Sequence, residues 1–270
     1  MLACGRKPTI QRVSKRLAML IVCNGVYKSG STWIFTMLVD LIDQKELPED
    51  WEAARHPRNI NLFHDPQGIF DAARELHLVA KIHSYDRDWL RFLIDKGARV
   101  VVTRRSRVDT LLSHYHHFSN EKFRLPFVLY AMTIGLLKSI EIVLYESVAT
   151  QPEFAHCVIA YEDMRTDPRA ALMTVVEKLG IGATEERIST VAIEANMRSR
   201  AFAEKFPGRE DRDWFFRRDR KATTAVQRSL AGIAVKVAEA LIGVGLLRRA
   251  AYWVAMRDPR RNQSSFARER

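Results

Sequence analysis

Apolar positions follow two rhythms along this chain. Short continuous apolar runs recur over 17–23, 76–83, 98–105 and 156–163, the pattern of strands buried on both faces of a parallel sheet. Between them, apolar residues return every three or four positions, as amphipathic helices require. Trp33, Met37, Leu38, Leu41 and Ile42 form one such set, and Val108, Leu111, Leu112 and Tyr115 another. Helices are also predicted over 69–75, over 86–96 with Gly97 as the stop, and over 168–179 with Pro168 in the first turn. The stretch 125–148 reads as one long apolar helix, and 185–206 and 223–256 as helices nearer the C-terminus. Residues 48–68 carry Pro48, Pro57 and Pro66 and read as a long loop. Strands alternating with helices predict an α/β fold, a three-layer α/β/α sandwich with a central parallel sheet. The whole of 1–270 is read as one domain, with a basic arm over 1–16, a charged mobile loop over 207–222 and a C-terminal helical segment over 223–256.

Ligands of such sheets sit at the carboxyl ends of the strands, and polar residues gather there. The first strand runs into Gly25–Thr32, a small and hydroxylated loop whose one lysine is Lys28, and a helix follows. Open N–H groups at a helix start, its positive dipole end and a lysine together make a phosphate cradle. The second strand ends in Lys81 and His83, the third in Arg104 and Arg105, and the fourth carries Glu162 and Asp163. Polar groups from four strand ends at one sheet edge predict a single site.

Composition narrows the ligand. Lys and Arg outnumber Asp and Glu by 43 to 32, a net charge of +11, which points to anionic partners. Hydrophobic content of 47% excludes a disordered chain. Cys4, Cys23 and Cys157 are too few and scattered for a disulfide framework or a zinc site, and they imply a reducing, cytoplasmic setting. The apolar C-terminal run over 230–247 holds Lys236 and Glu239 near its middle, which argues against a membrane span. Contact with a membrane surface and homodimer formation stay open, and nucleic acid is not an expected partner. His114, His116 and His117 lie too close on one helix to share a face as a trio, so no metal site is predicted.

A nucleotide kinase needs GxxxxGK[ST] and a magnesium-binding acid at another strand end. Here the lysine precedes the glycine, and the next two strand ends are cationic. The residues instead resemble the cytosolic-type sulfotransferases, which have a P-loop NTPase-like fold and use 3′-phosphoadenosine 5′-phosphosulfate (PAPS). Tyr27-Lys28-Ser29-Gly30-Ser31-Thr32-Trp33 is similar to that family's YPKSGTTW loop, with Tyr27 standing where the family has proline and Ser31 for the first threonine. Lys81-Ile82-His83 resembles its KTH segment. The run from Arg105 to Ser113 resembles RNPKDVxVS, with Arg and Ser eight apart, and Tyr161-Glu162-Asp163-Met164 its YEDM. The family's RKGxxGDW clamp has no clear counterpart: FPGREDRDW ends at Trp214, and Arg217 and Arg218 stand as a basic pair without the glycines.

The resemblance implies a PAPS-dependent transfer of a sulfuryl group to a hydroxyl or amine of a small-molecule, glycan or lipid acceptor, with adenosine 3′,5′-bisphosphate as product and no metal. It implies catalytic roles for His83 as general base, Lys28 on the leaving phosphate, and Lys81 beside the sulfuryl group or acceptor. Ser29, Gly30, Ser31 and Thr32 would bind the 5′-phosphate, and Arg105 and Ser113 the 3′-phosphate, with Arg217 and Arg218 in support. Trp33 is either an adenine-stacking residue or a core residue. Arg105 is either a phosphate ligand or the ion-pair partner of Glu162 or Asp163, acids expected to brace the site against nearby cations. Asp109 is expected to support its helix. Two other readings stay open: an atypical P-loop kinase, and an inactive basic protein that binds anions on the same fold.

Overall fold

The computed structural model describes residues 18–44, 59–60, 62, 66–121, 126–195 and 223–243. Four strands form its sheet: β1 (Leu20–Gly25), β2 (Leu78–Ile82), β3 (Arg99–Arg104) and β4 (Cys157–Ala160). All pairs are parallel, in the order β2-β1-β3-β4. Side chains alternate across each strand, and the two faces feed separate cores. Leu20, Val22, Leu78, Ala80, Val100 and Val102 face one side, and Ile21, Cys23, Val79, Val101, Cys157 and Ile159 the other.

The first face is covered by α2 (Pro66–Ala72), α3 (Arg87–Asp95), α4 (Arg107–Glu121), α5 (Phe127–Met132), α6 (Ile134–Ala149) and α10 (Ala225–Gly243). The second is covered by α1 (Ser31–Leu41), α7 (Tyr161–Thr166), α8 (Pro168–Leu179) and α9 (Glu185–Glu194). These are the three layers that the alternation of strands and helices predicts. Among the described residues, no helix is long and apolar enough to cross a membrane.

Four local expectations change. The long helix over 125–148 is two helices, interrupted at Thr133 with φ −119° and ψ −95°. Close packing explains the break: Gly135 lies so near Tyr130 that a Cβ there would stand 2.9 Å from the Tyr130 carbonyl oxygen. The fourth strand stops at Ala160 rather than reaching Asp163, and Tyr161–Thr166 turns helical. Glu162 and Asp163 in that first turn suit the positive end of a helix. The helix foreseen over 69–75 lies earlier, at Pro66–Ala72. The helix foreseen over 185–206 ends at Glu194, with Ala195 as its C-cap. The arm over 1–16, the loop over 207–222 and the far end of the last predicted helix lie outside the described residues.

The outer edge of β2 is closed by side-chain amides. Gln44 Oε1 accepts from the Val79 N–H at 2.6 Å while its Nε2 donates to the Val79 carbonyl at 3.3 Å. Asn59 does the same at Lys81, accepting at 2.6 Å and donating at 3.5 Å. Each amide stands in for a neighbouring strand, so backbone groups at an exposed sheet edge are not left open. Part of the predicted 48–68 loop is thus structural, because it delivers buried Asn59, Ile60 and Leu62 to the fold.

Candidate active site

The strand order reverses between β1, whose chain leaves toward β2, and β3, whose chain leaves toward β4. That crevice is where a parallel sheet binds ligands, and the loops after β1 and β3 meet there. In the β1–α1 turn, Lys28 has φ 69° and Gly30 φ 94°, both left-handed. Left-handed backbone is costly for a lysine, and such strain persists only where surroundings impose it. Those surroundings are visible. The Ser29 N–H and hydroxyl both donate to the Val26 carbonyl, at 3.1 and 2.7 Å. The Ser29 hydroxyl proton is thereby used, so its 2.8 Å contact with Thr103 Oγ1 on β3 is a bond donated by Thr103. Gly25 leaves room for this pair: a Cβ there would lie 2.2 Å from Thr103 Oγ1.

Gly30 is the N-cap of α1 and gives it no side-chain cap. The first N–H groups of the helix therefore stay available to an anion. A Cβ on Gly30 would stand 2.8 Å from Met164 Cε and 2.9 Å from the Tyr161 ring, so glycine is required twice, by conformation and by space. Ser31 is buried, and Thr32 Oγ1 accepts from Lys81 Nζ at 2.7 Å. Lys81 thus reaches across from β2 to the helix start.

Past β3, Arg105 donates from Nη1 to the Lys28 carbonyl at 3.1 Å, and its guanidinium lies 4.3 Å from the centroid of the Tyr161 ring. It links the β1 loop to α7 in one span. Ser113 lies on α4 and is buried; one turn earlier the Thr110 hydroxyl is buried with no hydrogen-bond partner among the described residues. Glu162 accepts from the Ser106 N–H at 3.3 Å, so this acid braces a backbone amide rather than a cation as expected. Asp109 supports its helix, as foreseen, through a 2.9 Å ion pair with Arg228 of α10. Trp33 is 4% exposed, packs in the second core and donates from Nε1 to the Ala195 carbonyl at 2.6 Å. The structure therefore gives this tryptophan a core position and leaves it little face for stacking on a base.

His83 follows β2, and two contacts orient it. Its Nδ1 meets the Gly25 carbonyl in a short hydrogen bond. A carbonyl oxygen only accepts, so Nδ1 carries a proton, and in the neutral imidazole Nε2 is the nitrogen with the lone pair. The imidazole also stacks on Tyr27, with ring centroids 4.1 Å apart and planes inclined by 27°. Behind it, buried Asn24 donates to the Ser84 carbonyl at 2.8 Å and accepts from the Ser84 N–H at 3.0 Å. The residue after the histidine is pinned to β1 by this amide.

On the α4–α6 side, His114 Nδ1 lies 2.7 Å from the Tyr130 hydroxyl. Burial, reinforced by nearby Lys138, His117 and Lys28, pushes His114 down to about 3, with Glu141 opposing. Burial and Lys28 push His117 down to about 4. Both imidazoles are neutral at pH 7, which keeps further positive charge away from Lys28. Cys23 is fully buried and its thiol is raised far above the ordinary range by burial, so it is no nucleophile. Among the described residues, no group of three His, Cys, Asp or Glu side chains could hold a metal ion.

The structure thus brings Lys28, Ser29, Gly30, Ser31, Thr32, Lys81, His83 and Arg105 to one sheet edge, with Ser113 on the adjoining helix. Arg217 and Arg218 lie outside the described residues. Sequence reading missed Asn24, Tyr27 and Thr103 as parts of the site. Asn24 carried a signal, as a polar residue inside an apolar strand; the partners of Tyr27 and Thr103 depend on strand order and could not be seen.

The pattern of the sulfotransferase domain matches residues 19–218 of this chain. A search of curated proteins found no match. Among solved structures, the chain is 14% identical to mouse sulfotransferase SULT7A1 complexed with PAP, covering 79% of this chain and 88% of that one, with a TM-score of 0.47. It is 14% identical to the sulfotransferase domain of the Synechococcus PCC 7002 olefin synthase, over 80% and 93%, with a TM-score of 0.42. With retinol dehydratase in complex with androsterone and the inactive cofactor PAP, identity is 15% over 89% and 81%, and the TM-score is 0.44. The family pattern spans both the loop after β1 and the strand ends that face it, and this chain belongs to the sulfotransferase domain family.

Proposed function

We propose that the chain, acting as one domain over 1–270, transfers the sulfuryl group of PAPS to a hydroxyl or amine, with His83 as general base. The donor set fits such a nucleotide. It offers an uncapped helix start behind Gly30 and two cationic side chains, Lys28 and Arg105, joined through one carbonyl. The Thr110 hydroxyl, buried and without a hydrogen-bond partner among the described residues, lies one turn from Ser113 on α4, the helix that follows Arg105. Lys28, the α1 amides, Ser29, Ser31 and Thr32 would hold the 5′-phosphate end, and Arg105 with Ser113 the 3′-phosphate. Arg217 and Arg218 are assigned to the same phosphate by their basic character alone. When bound, the nucleotide supplies the activated sulfuryl group.

The single observation that carries the reading is the contact of His83 Nδ1 with the Gly25 carbonyl. With the Nδ1–H donating to the Gly25 carbonyl, Nε2 of the neutral imidazole presents the lone pair that takes the proton of an acceptor hydroxyl. As the acceptor oxygen bonds to sulfur, the bond from sulfur to the 5′-phosphate oxygen breaks. His83 ends with the proton, and the phosphate leaves with the electron pair. Lys28 sits where that negative charge grows and stabilises it. Lys81, bonded to Thr32, adds positive charge between the phosphate loop and the base. Buried free thiols at Cys23 and Cys157 support a reducing, cytoplasmic setting.

Thermal-shift titration tests the nucleotide. Adenosine 3′,5′-bisphosphate is expected to raise the melting temperature more than ATP with magnesium does. Stabilisation by ATP–magnesium alone would replace this reading with a kinase. His83→Ala is expected to keep the bisphosphate-induced shift and to lose sulfuryl transfer from PAPS by about 10²–10⁴-fold. Loss of the shift instead would make the histidine structural.

A further inference from the structure

Tyr27 occupies the place where the family's phosphate loop carries proline, and it is 42% exposed at the mouth of the site. Proline has no aromatic ring to stack. Tyr27 does: its face lies against the His83 imidazole, with centroids 4.1 Å apart. Lys138 of α6 lies 5.9 Å from the same tyrosine centroid and is held by Glu141 at 2.8 Å. The Gly25 carbonyl that accepts the His83 Nδ1–H bond lies two residues before Tyr27, so one short turn supplies this bond and the stack. Their geometries are complementary. A single hydrogen bond fixes one point of the ring and lets it swing about the N–H···O axis. A stack fixes the plane.

We propose that Tyr27 is a positioning residue for His83: its stacked ring sets the imidazole plane, preserves the Nδ1–H tautomer and aims Nε2 at the acceptor. This rests on the reading of His83 as the general base. Tyr27 acts through the histidine and through Lys138, which ties the loop to α6. The chain has thus exchanged a stiff proline in the loop for an aromatic brace on the base itself. Misaiming a catalytic group by about 1 Å costs on the order of 100-fold in rate, which is the scale on which such a brace matters.

Nitrogen-15 NMR of the histidine side chains in the full-length protein tests the proposal without any acceptor, with His83→Ala used to assign the His83 signals. In the unsubstituted protein, His83 is expected as one dominant Nδ1–H tautomer, its Hε1 displaced upfield by the tyrosine ring current. Tyr27→Leu should abolish that displacement and give a mixture of tautomers, while the melting shift with adenosine 3′,5′-bisphosphate stays. Tyr27→Phe should restore both NMR signatures, because the ring rather than the hydroxyl does the stacking. A Tyr27→Leu protein with the dominant tautomer and the upfield shift intact overturns the proposal, as does a Tyr27→Phe protein that behaves like Tyr27→Leu. Full sulfuryl transfer by His83→Ala would instead overturn the base reading, whatever the imidazole signals show.

Discussion

The carboxyl edge of the sheet and the α4–α6–α10 layer beside it hold their shapes by opposite means. At the sheet edge several polar partners are uncharged or backbone groups: Ser29 with Thr103 and Asn24 with Ser84 are buried, and His83 with Gly25 is half-buried. In the helical layer they are charged and partly in water. Arg107 pairs with Glu146 at 2.6 Å and Glu239 at 2.5 Å, and Arg228 with Asp109 at 2.9 Å, with Arg228 58% exposed. A buried neutral bond is costly to break because its partner is left unsatisfied away from water. A surface ion pair exchanges with water and contributes little. The first kind of bond specifies where a side chain at the sheet edge sits; the second trims the attachment of a helix.

The sharpest test of that contrast is Lys28→Met. In the proposed mechanism its charge faces the 5′-phosphate, and its carbonyl, which Arg105 holds, is untouched by the change. Sulfuryl transfer should fall about 10²–10³-fold with the melting temperature nearly constant. A large fall in melting temperature would show that the lysine is a structural part of the turn.

Next comes Asn24→Ala. It strips the Ser84 N–H and carbonyl of their buried partner, and unfolding free energy should drop by about 1–3 kcal/mol in urea denaturation. Transfer should weaken too, since Ser84 follows His83 in the chain. Unchanged stability would put the amide clamp in the same class as the surface pairs.

His114 gives a test by pH. Its ordinary pKa of about 6.5 is pushed down in the fold to about 3, first by burial and then by Lys138, His117 and Lys28. Below about pH 6.5 the unfolded chain takes up a proton that the native state refuses, so stability declines as pH falls from about 6.5 toward about 3. Above that window the group contributes no slope. His114→Gln can still meet the Tyr130 hydroxyl and should lose less stability than the parent between pH 7 and pH 5, read as urea midpoints. Equal losses in both proteins would mean that the imidazole accepts a proton in the fold.

Smallest of all is Arg228→Ala, which removes the exposed pair with Asp109. A change of under about 1 kcal/mol is expected, with no change in transfer. A larger effect would make the α4–α10 attachment as decisive as the buried network.

How far the sequence could be read depended on the range of the interaction. Lys28, His83 and Arg105 were legible as strand-end residues because an apolar run and the polar residue that ends it are neighbours in the chain. Asp109 was legible as a support but not its partner, Arg228, which lies on a helix far along the sequence. The helix break at Thr133 was masked by the apolar spacing that runs through it over 125–148; Gly135, two residues on, was its one local signal, and in the fold it lies close against Tyr130. Trp33 was left between two roles, and only the position of the Ala195 carbonyl put it in the core.

Order along the chain therefore settled the α/β class, the phosphate-type loop and the family, since strand alternation, helical spacing and loop motifs are written in residues within a few positions of one another. The fold alone decided that β1 lies between β2 and β3. That arrangement sets Gly25 beside Thr103 in register and brings its carbonyl to His83. Asn24 and Ser84 are 60 residues apart, and no local pattern encodes such a meeting. It follows from strand register, which the buried faces of all four strands choose together.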